Sequence, residues 1–227
     1  EEQTWAIALT EVFSAYRIYI DGELAGEVGN PDEEDYEGRI MNRVYTFNGK
    51  GTVEIVIDVA DRSSVESGIR YIPVLGNPVQ VNMQRGIRVL HNGFAMSFCF
   101  CILIGSLLVY VKNRTRQYGF FILICICVIG YSIYPLIHSF FFLPVQPWYA
   151  LEALSYYLML PCMICLEDSI MKKNKGRYLA LILTAWAVAA FFLEIFAGSI
   201  SRAEIFYAAS WLSEGAKWLA AIYMLSN

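Results

Sequence analysis

The chain has 227 residues, of which 57% are hydrophobic and 15% aromatic, and its formal net charge is −4. Residues 1–84 carry 15 acidic and 6 basic side chains, a net charge of −9, whereas long apolar runs fill the remainder. The acidic N-terminal part disfavours nucleic acid as a partner, and the apolar runs exclude a protein that is soluble throughout. We therefore expect a solvated domain, residues 1–84, followed by a membrane domain, residues 85–227.

Short β-rich runs with turn residues between them occupy the first domain. They predict strands at residues 5–9, 15–20, 23–28, 43–47, 52–59, 69–75 and 79–83. Asp21-Gly22 predicts one hairpin and residues 48–51 predict another, whereas Pro73 and Pro78 favour edge or interrupted strands. The pattern predicts an all-β sandwich. Such folds commonly need about 100 residues, so we expect the chain to be part of a longer polypeptide that supplies further strands.

Five apolar runs follow, each long enough to cross a bilayer core of about 30 Å as a helix. The predicted spans are residues 88–111, 118–137, 148–171, 178–197 and 205–225. Lys and Arg concentrate in segments 112–117 and 172–177, and none occurs at 138–147. The positive-inside rule then places the first two segments in the cytoplasm and the N-terminal domain outside, extracellular or periplasmic.

A resemblance emerges from residues 15–24, 26–29 and 53–59, together with Ser67-Gly68-Ile69 and Leu75-Gly76. This run of strand and turn residues resembles bacterial seven-transmembrane receptors with diverse intracellular signalling modules. The resemblance implies a jelly-roll domain similar to carbohydrate-binding modules, seven helices in the bacterial plasma membrane and a cytoplasmic output module in cis. The departure is that five spans are present where the family has seven, and no output module lies in these residues.

Aromatic rings with nearby charges are what a sugar-binding face would use, because rings pack on pyranoses while carboxylates take hydroxyls. The candidate residues in the first domain are Trp5, Tyr16, Arg17, Tyr19, Asp21, Tyr45, Asp58, Arg70 and Tyr71. The alternative is that the rings are cross-strand packing partners and that the charges face solvent. We predict no metal site, since this domain contains neither His nor Cys.

Glu214 and Lys217 are unusual because they lie inside the fifth apolar run. At 1.5 Å per residue, Glu214 is about 15 Å deep in that span, and ionisable groups at such depth are candidates for a function. Their spacing also allows mutual pairing in a helix, which would simply neutralise both. We keep a coupling role and mutual neutralisation as alternatives.

No catalytic motif or cofactor site is evident, so we predict that these residues are not enzymatic. The leading hypothesis is a receptor in which an extracellular small molecule or carbohydrate shifts the juxtamembrane segment 82–88 and repacks the helices, with homodimerisation left open. A transporter or channel with an accessory domain is the alternative, and Glu214 with Lys217 would then line its path. A scaffold that binds a partner through sheet edges is a third class.

Overall fold

The computed structural model describes residues 3–32, 36–60, 68–196 and 203–226, and these divide into two compact units. The first unit comprises Glu1–Gly93 and Pro135–Trp148, and the second comprises Phe94–Tyr134 and Tyr149–Asn227. The first unit therefore contains more than the predicted domain 1–84, because it includes the beginning of a long helix and a loop that is distant in sequence.

Strands of the first unit form two three-stranded antiparallel sheets and one two-stranded pair. The strands are β1 (Gln3–Leu9), β2 (Ala15–Ile20), β3 (Glu23–Val28), β4 (Arg39–Ile40), β5 (Arg43–Gly49), β6 (Ile55–Ala60), β7 (Val74–Gly76) and β8 (Leu143–Pro144). The β1 sheet has the order β5-β1-β7, the β2 sheet has the order β3-β2-β6, and β4 pairs with β8. This arrangement is consistent with the predicted sandwich.

One predicted hairpin is confirmed and the other is wrong. Asp21 and Gly22 both have positive φ angles, 49° and 81°, as a two-residue turn between β2 and β3 requires. The strands on either side of residues 48–51 do not pair with each other, because β5 pairs with β1 and β6 with β2. Residues 48–51 lie instead where the chain crosses from the β1 sheet to the β2 sheet.

The second half of β1, residues 6–9, is buried on both of its faces. Ile7 and Leu9 join the apolar core that the two sheets share, together with residues of β2, β3 and β5. Ala6 and Ala8 point to the opposite face, where they pack with Val81 of the first long helix. Small residues on that face allow the helix backbone to come close, because alanine adds only one carbon to each position.

The first helix begins ten residues before the predicted membrane span, and the other four begin within two residues of theirs. The helices are α1 (Pro78–Asn113), α2 (Arg116–Ile137), α3 (Trp148–Ile170), α4 (Arg177–Ile195) and α5 (Ala203–Leu225). The predicted strand at residues 79–83 is wrong, because these residues form the first turns of α1. Asn77 accepts a hydrogen bond from the amide of Val79 at 2.9 Å, and Pro78 occupies the first helical position, where its missing N–H costs nothing. The predicted strand at 69–75 is likewise reduced to β7, with an isolated bridge at Ile69.

Four of the described helices are long and apolar enough to cross a membrane, namely α1 to α4. These helices support a multi-pass membrane protein in a lipid bilayer. The helix α5 forms where the fifth span was predicted but does not belong to this set of four. All six cysteines are free thiols, on α1, α2 and α3.

In the second unit, α3, α4 and α5 pack around a core that includes Ile164, Leu183 and Ala220. The carboxylate of Asp168 joins the ends of these helices. It accepts a 2.8 Å hydrogen bond from the amide of Gly176 and a 2.5 Å hydrogen bond from the hydroxyl of Tyr223. Asp168, which is 7% exposed, thus holds the start of α4 and the end of α5 against α3.

We expect Gly176→Ala to destabilise the second unit. The added Cβ would lie 2.5 Å from Cγ2 of Ile164 and 2.8 Å from the hydroxyl of Tyr223, so packed groups must move. Overpacking of this kind typically costs about 1–3 kcal/mol. Thermal unfolding in detergent micelles measures the effect. Gly105→Ala in α1 is the matched control, because its Cβ would meet nothing within 4 Å; equal melting temperatures for the two variants would contradict the packing described.

Candidate functional site

The loop between α2 and α3, residues 138–147, is built into the first unit. Its strand β8 pairs with β4, with Arg39 opposite Pro144 and Ile40 opposite Leu143. Ile40 and Val145 are almost completely buried. We call the contact region of this loop, β4, Asn42 and the first turns of α1 the loop junction. It links segments about 100 residues apart in sequence.

Asn42 holds the loop junction together through three hydrogen bonds. Its amide N–H donates to the carbonyl of His138 at 3.1 Å, and its side-chain Nδ2 donates to Oγ of Ser139 at 3.1 Å. Its Oδ1 accepts from the amide of Glu11 at 2.9 Å. Because Asn42 is 5% exposed, these bonds form away from water, where an unmatched polar group would be costly.

The helix α1 reaches the same loop through Arg85. Its Nη2 donates to the carbonyl oxygen of Ser139 at 2.6 Å. On the strand side, the guanidinium of Arg43 lies 4.8 Å from the ring centroid of Phe142, within the range of a cation–π interaction. A displacement of α1 or of β5 would therefore change contacts made directly with the α2–α3 loop.

His138 is fully buried where α2 ends. Burial lowers its pKa to about 4, since the charged imidazolium would lose its hydration. The ring is therefore neutral at pH 7, and acidification would require the loop junction to accommodate a buried charge.

Tyr16 and Tyr45 lie in the core between the two sheets, and their hydroxyl oxygens are 3.1 Å apart. Burial raises the pKa of both phenols, most strongly that of Tyr16. The ring of Tyr16 is completely shielded from solvent and presents no face to a ligand. In the described structure these two candidates act as packing residues.

Arg17, Tyr19 and Asp58 share the outward face of the β2 sheet, where Arg17 stands opposite Asp58. Arg17 donates two hydrogen bonds of 2.8 Å to the two carboxylate oxygens of Asp32 and a weaker one of 3.4 Å to Glu27. These bonds hold the pKa of Asp32 below its usual value. A ligand on this face would meet an arginine whose guanidinium is already paired.

The four remaining candidates in the first unit are dispersed. Asp21 stabilises the turn, since its Oδ1 accepts from the amide of Glu54 at 2.8 Å. Tyr71 stands under the guanidinium of Arg88 at 5.0 Å, with the guanidinium of Arg70 6.0 Å from the same ring. Trp5 is half-buried on β1. The nine residues thus form several small groups, and ligand binding by them stays a prediction.

Glu214 and Lys217 form the pair that their spacing allows, with Nζ of Lys217 2.6 Å from Oε1 of Glu214. Lys217 also lies 5.4 Å from the ring centroid of Tyr156 on α3. In the described structure the side chain of Glu214 is 54% exposed and that of Lys217 is 33% exposed. The described helices of the second unit therefore do not enclose the pair. A coupling role for the pair stays a prediction.

Sequence reasoning missed Asn42, His138 and Ser139 as a group, although it did select the segment 82–88 that contains Arg85. Nothing in the sequence pairs an asparagine after a two-residue strand with a loop about 100 residues later. The available signal was the polar pair His138-Ser139 between apolar runs, which marks a loop but not its partner.

No family model matches the chain, and comparisons with curated proteins and solved structures likewise give no match. Among the described residues, no group of three or more His, Cys, Asp or Glu side chains could hold a metal ion. Support for a functional role of the loop junction therefore comes only from its geometry in this chain.

Asn42→Ala should loosen the α2–α3 loop. The substitution removes the hydrogen bond to Ser139 and leaves the amide of Glu11 without its acceptor, at a cost of about 1–3 kcal/mol. Hydrogen exchange of amides in residues 138–147 should become faster. Asn48→Ala is the matched control, because it removes an exposed side-chain bond to Thr4; if both variants exchange alike, Asn42 does not hold the loop.

Acidification should destabilise the first unit through His138. Its pKa is about 4 when folded and about 6.5 when unfolded, so the unfolded state binds the proton first. Stability is complete above pH 6.5 and falls as the pH drops from 6.5 towards 4, by about 3 kcal/mol at most. Melting temperatures of the chain between pH 7.5 and 4.5 measure this loss.

The chain has two histidines, which supplies the control for that experiment. His138→Gln should flatten the pH dependence relative to the native chain, whereas His91→Gln, at an exposed position on α1, should retain it. Identical pH profiles for the two variants would remove His138 as the cause.

Proposed function

We propose that the chain is the sensing and membrane part of a receptor. The N-terminal unit binds an extracellular small molecule or carbohydrate, and the helices relay the event to a cytoplasmic signalling module in cis. The orientation rests on the positive-inside pattern of residues 112–117 and 172–177. The resemblance to seven-transmembrane receptors favours the same assignment.

The observation that carries this proposal is the loop junction. A sensing unit joined to a membrane helix by a flexible linker would dissipate a small displacement. Here β1 packs on Val81 of α1, Arg85 of the same helix bonds to Ser139, and β4 pairs with β8. A change in the sheets would therefore act on α1 and on the segment that connects α2 to α3 together.

The helix α1 is suited to transmit such a change. Its 36 residues extend for about 54 Å at 1.5 Å per residue, which exceeds a bilayer core of about 30 Å. One continuous helix therefore carries both the residues that contact the sheet and the apolar span. Described glycines of α1 such as Gly86 and Gly93 do not interrupt it.

The proposal is tested on the whole chain in lipid nanodiscs. A chemically diverse panel of saccharides and small metabolites is screened by thermal shift, and any ligand found is examined by hydrogen exchange. A ligand of the N-terminal unit should slow exchange at residues 138–147 and in the first turns of α1. Asn42→Ala should retain ligand affinity but lose most of the response in the loop, whereas Asn48→Ala should behave as the native chain.

Three results would overturn parts of the proposal. A ligand that binds the sheets and leaves exchange of the loop unchanged would reject the coupling route. Saturable uptake of that ligand by proteoliposomes would favour the transporter alternative. If no saccharide binds and a metabolite of another chemical class does, the ligand is that metabolite class and not a carbohydrate.

A further inference from the structure

Three arginines line one small cavity in the first unit. The cavity has a volume of about 40 Å³ and is bounded by the alanine face of β1, by β5 and β7, by α1 and by Ser139. Its lining includes the apolar residues Ala8, Val44, Val74, Val81 and Val89. Arg43, Arg85 and Arg88 supply its positive charge. A water molecule needs about 10–15 Å³, so the space accommodates a group of several heavy atoms.

No carboxylate among the described residues pairs with any of these three arginines. The described ion pairs of the first unit involve Arg17, Arg39 and Arg70 instead. This is unusual because residues 1–84 carry a net charge of −9, which offers many acids for pairing. Within the described residues, these three guanidinium groups therefore line the cavity beside α1 without a carboxylate partner.

Arg43 is half-buried, and part of its guanidinium is shielded from solvent. Its Nε atom is buried and has no hydrogen-bond partner in the described part of the chain. A buried donor of a charged group is costly to leave unmatched. Arg85 uses Nη2 on the carbonyl of Ser139, but a guanidinium has five N–H donors, so it retains others.

Arg88 lies at the edge of the cavity. Its side chain is exposed, and its guanidinium lies 5.0 Å from the ring centroid of Tyr71, which orients it without neutralising it. Arg85 and Arg88 are three residues apart on α1 and so lie on one face of the helix. The cavity is therefore lined by two half-buried arginines, Arg43 and Arg85, and by one exposed arginine, Arg88.

We propose that this cavity binds a phosphate group. Guanidinium groups match the oxygens of phosphate with paired, charge-assisted hydrogen bonds. Three such groups suit a tetrahedral anion with several acceptor oxygens better than a single carboxylate. The phosphate belongs either to a phospholipid headgroup, since the apolar run of α1 begins next to Arg88, or to a free phosphate. This inference does not depend on the chain being a receptor.

The experiment uses the whole chain in phosphatidylcholine nanodiscs titrated with inorganic phosphate, with chloride at matched ionic strength as reference. Phosphate should raise the melting temperature with a saturable dependence. Arg88→Gln should weaken the apparent affinity about tenfold, as expected for loss of one charge-assisted contact. Lys50→Gln is the matched control, because it removes one exposed positive charge in the turn after β5.

Phosphatidylglycerol nanodiscs identify the source of the phosphate group. If the headgroup fills the cavity, these discs should stabilise the native chain and Lys50→Gln but not Arg88→Gln, and added phosphate should have little further effect. Stabilisation that is the same in all three proteins, in both kinds of disc, would overturn the proposal.

A labelling experiment on the native chain covers the case in which Arg88→Gln fails to fold. Phenylglyoxal modifies accessible guanidinium groups, and mass spectrometry reports the extent at each arginine. Phosphate or phosphatidylglycerol should protect Arg88 and leave Arg39 labelled as before. Equal labelling of Arg88 under all conditions would reject the site.

Discussion

The first unit depends on the burial of residues 6–9 of β1 on both faces of the strand. Large side chains at Ile7 and Leu9 fill the core between the sheets, and small ones at Ala6 and Ala8 admit α1 on the other side. Burial of apolar surface stabilises a fold by about 25 cal/mol per Å². Because β1 buries apolar side chains on both sides, it holds the core between the sheets and α1 together. The sheet cannot shift without disturbing either the core or the helix.

The hydrogen bonds of the loop junction fix the relative orientation of segments that apolar packing alone only brings close together. Apolar contact between alanine and valine fixes closeness but little orientation, whereas the bonds of Asn42 and Arg85 reach individual atoms of His138 and Ser139. Buried hydrogen bonds of this kind are satisfied in one arrangement and costly in others. These bonds therefore fix how β4, the α2–α3 loop and the first turns of α1 are oriented in the first unit.

Local sequence signals predicted much of the fold. Alternation gave β2 and β6, Asp21-Gly22 gave the turn of the β2–β3 hairpin, and apolar length located all five helices. The errors arose where local signals have two meanings. Pro78 was interpreted as interrupting a strand, although a proline after Asn77 also begins a helix. Turn residues at 48–51 cannot say whether the chain returns to the same sheet or crosses to the other.

The candidate site was less predictable because it depends on pairings distant in sequence. Tyr16 fitted the pattern of a sugar-stacking ring, yet alternation along β2 equally places it in the core, which is where it lies. Arg43, Arg85 and Arg88 carried no local signal of a common site, since a strand and a helix present them from different parts of the chain. The three arginines can be recognised as a group only once the folded chain shows the cavity between α1 and the alanine face of β1. Ala8, one of the two small side chains that admit the helix, therefore also borders the space that the three arginines line.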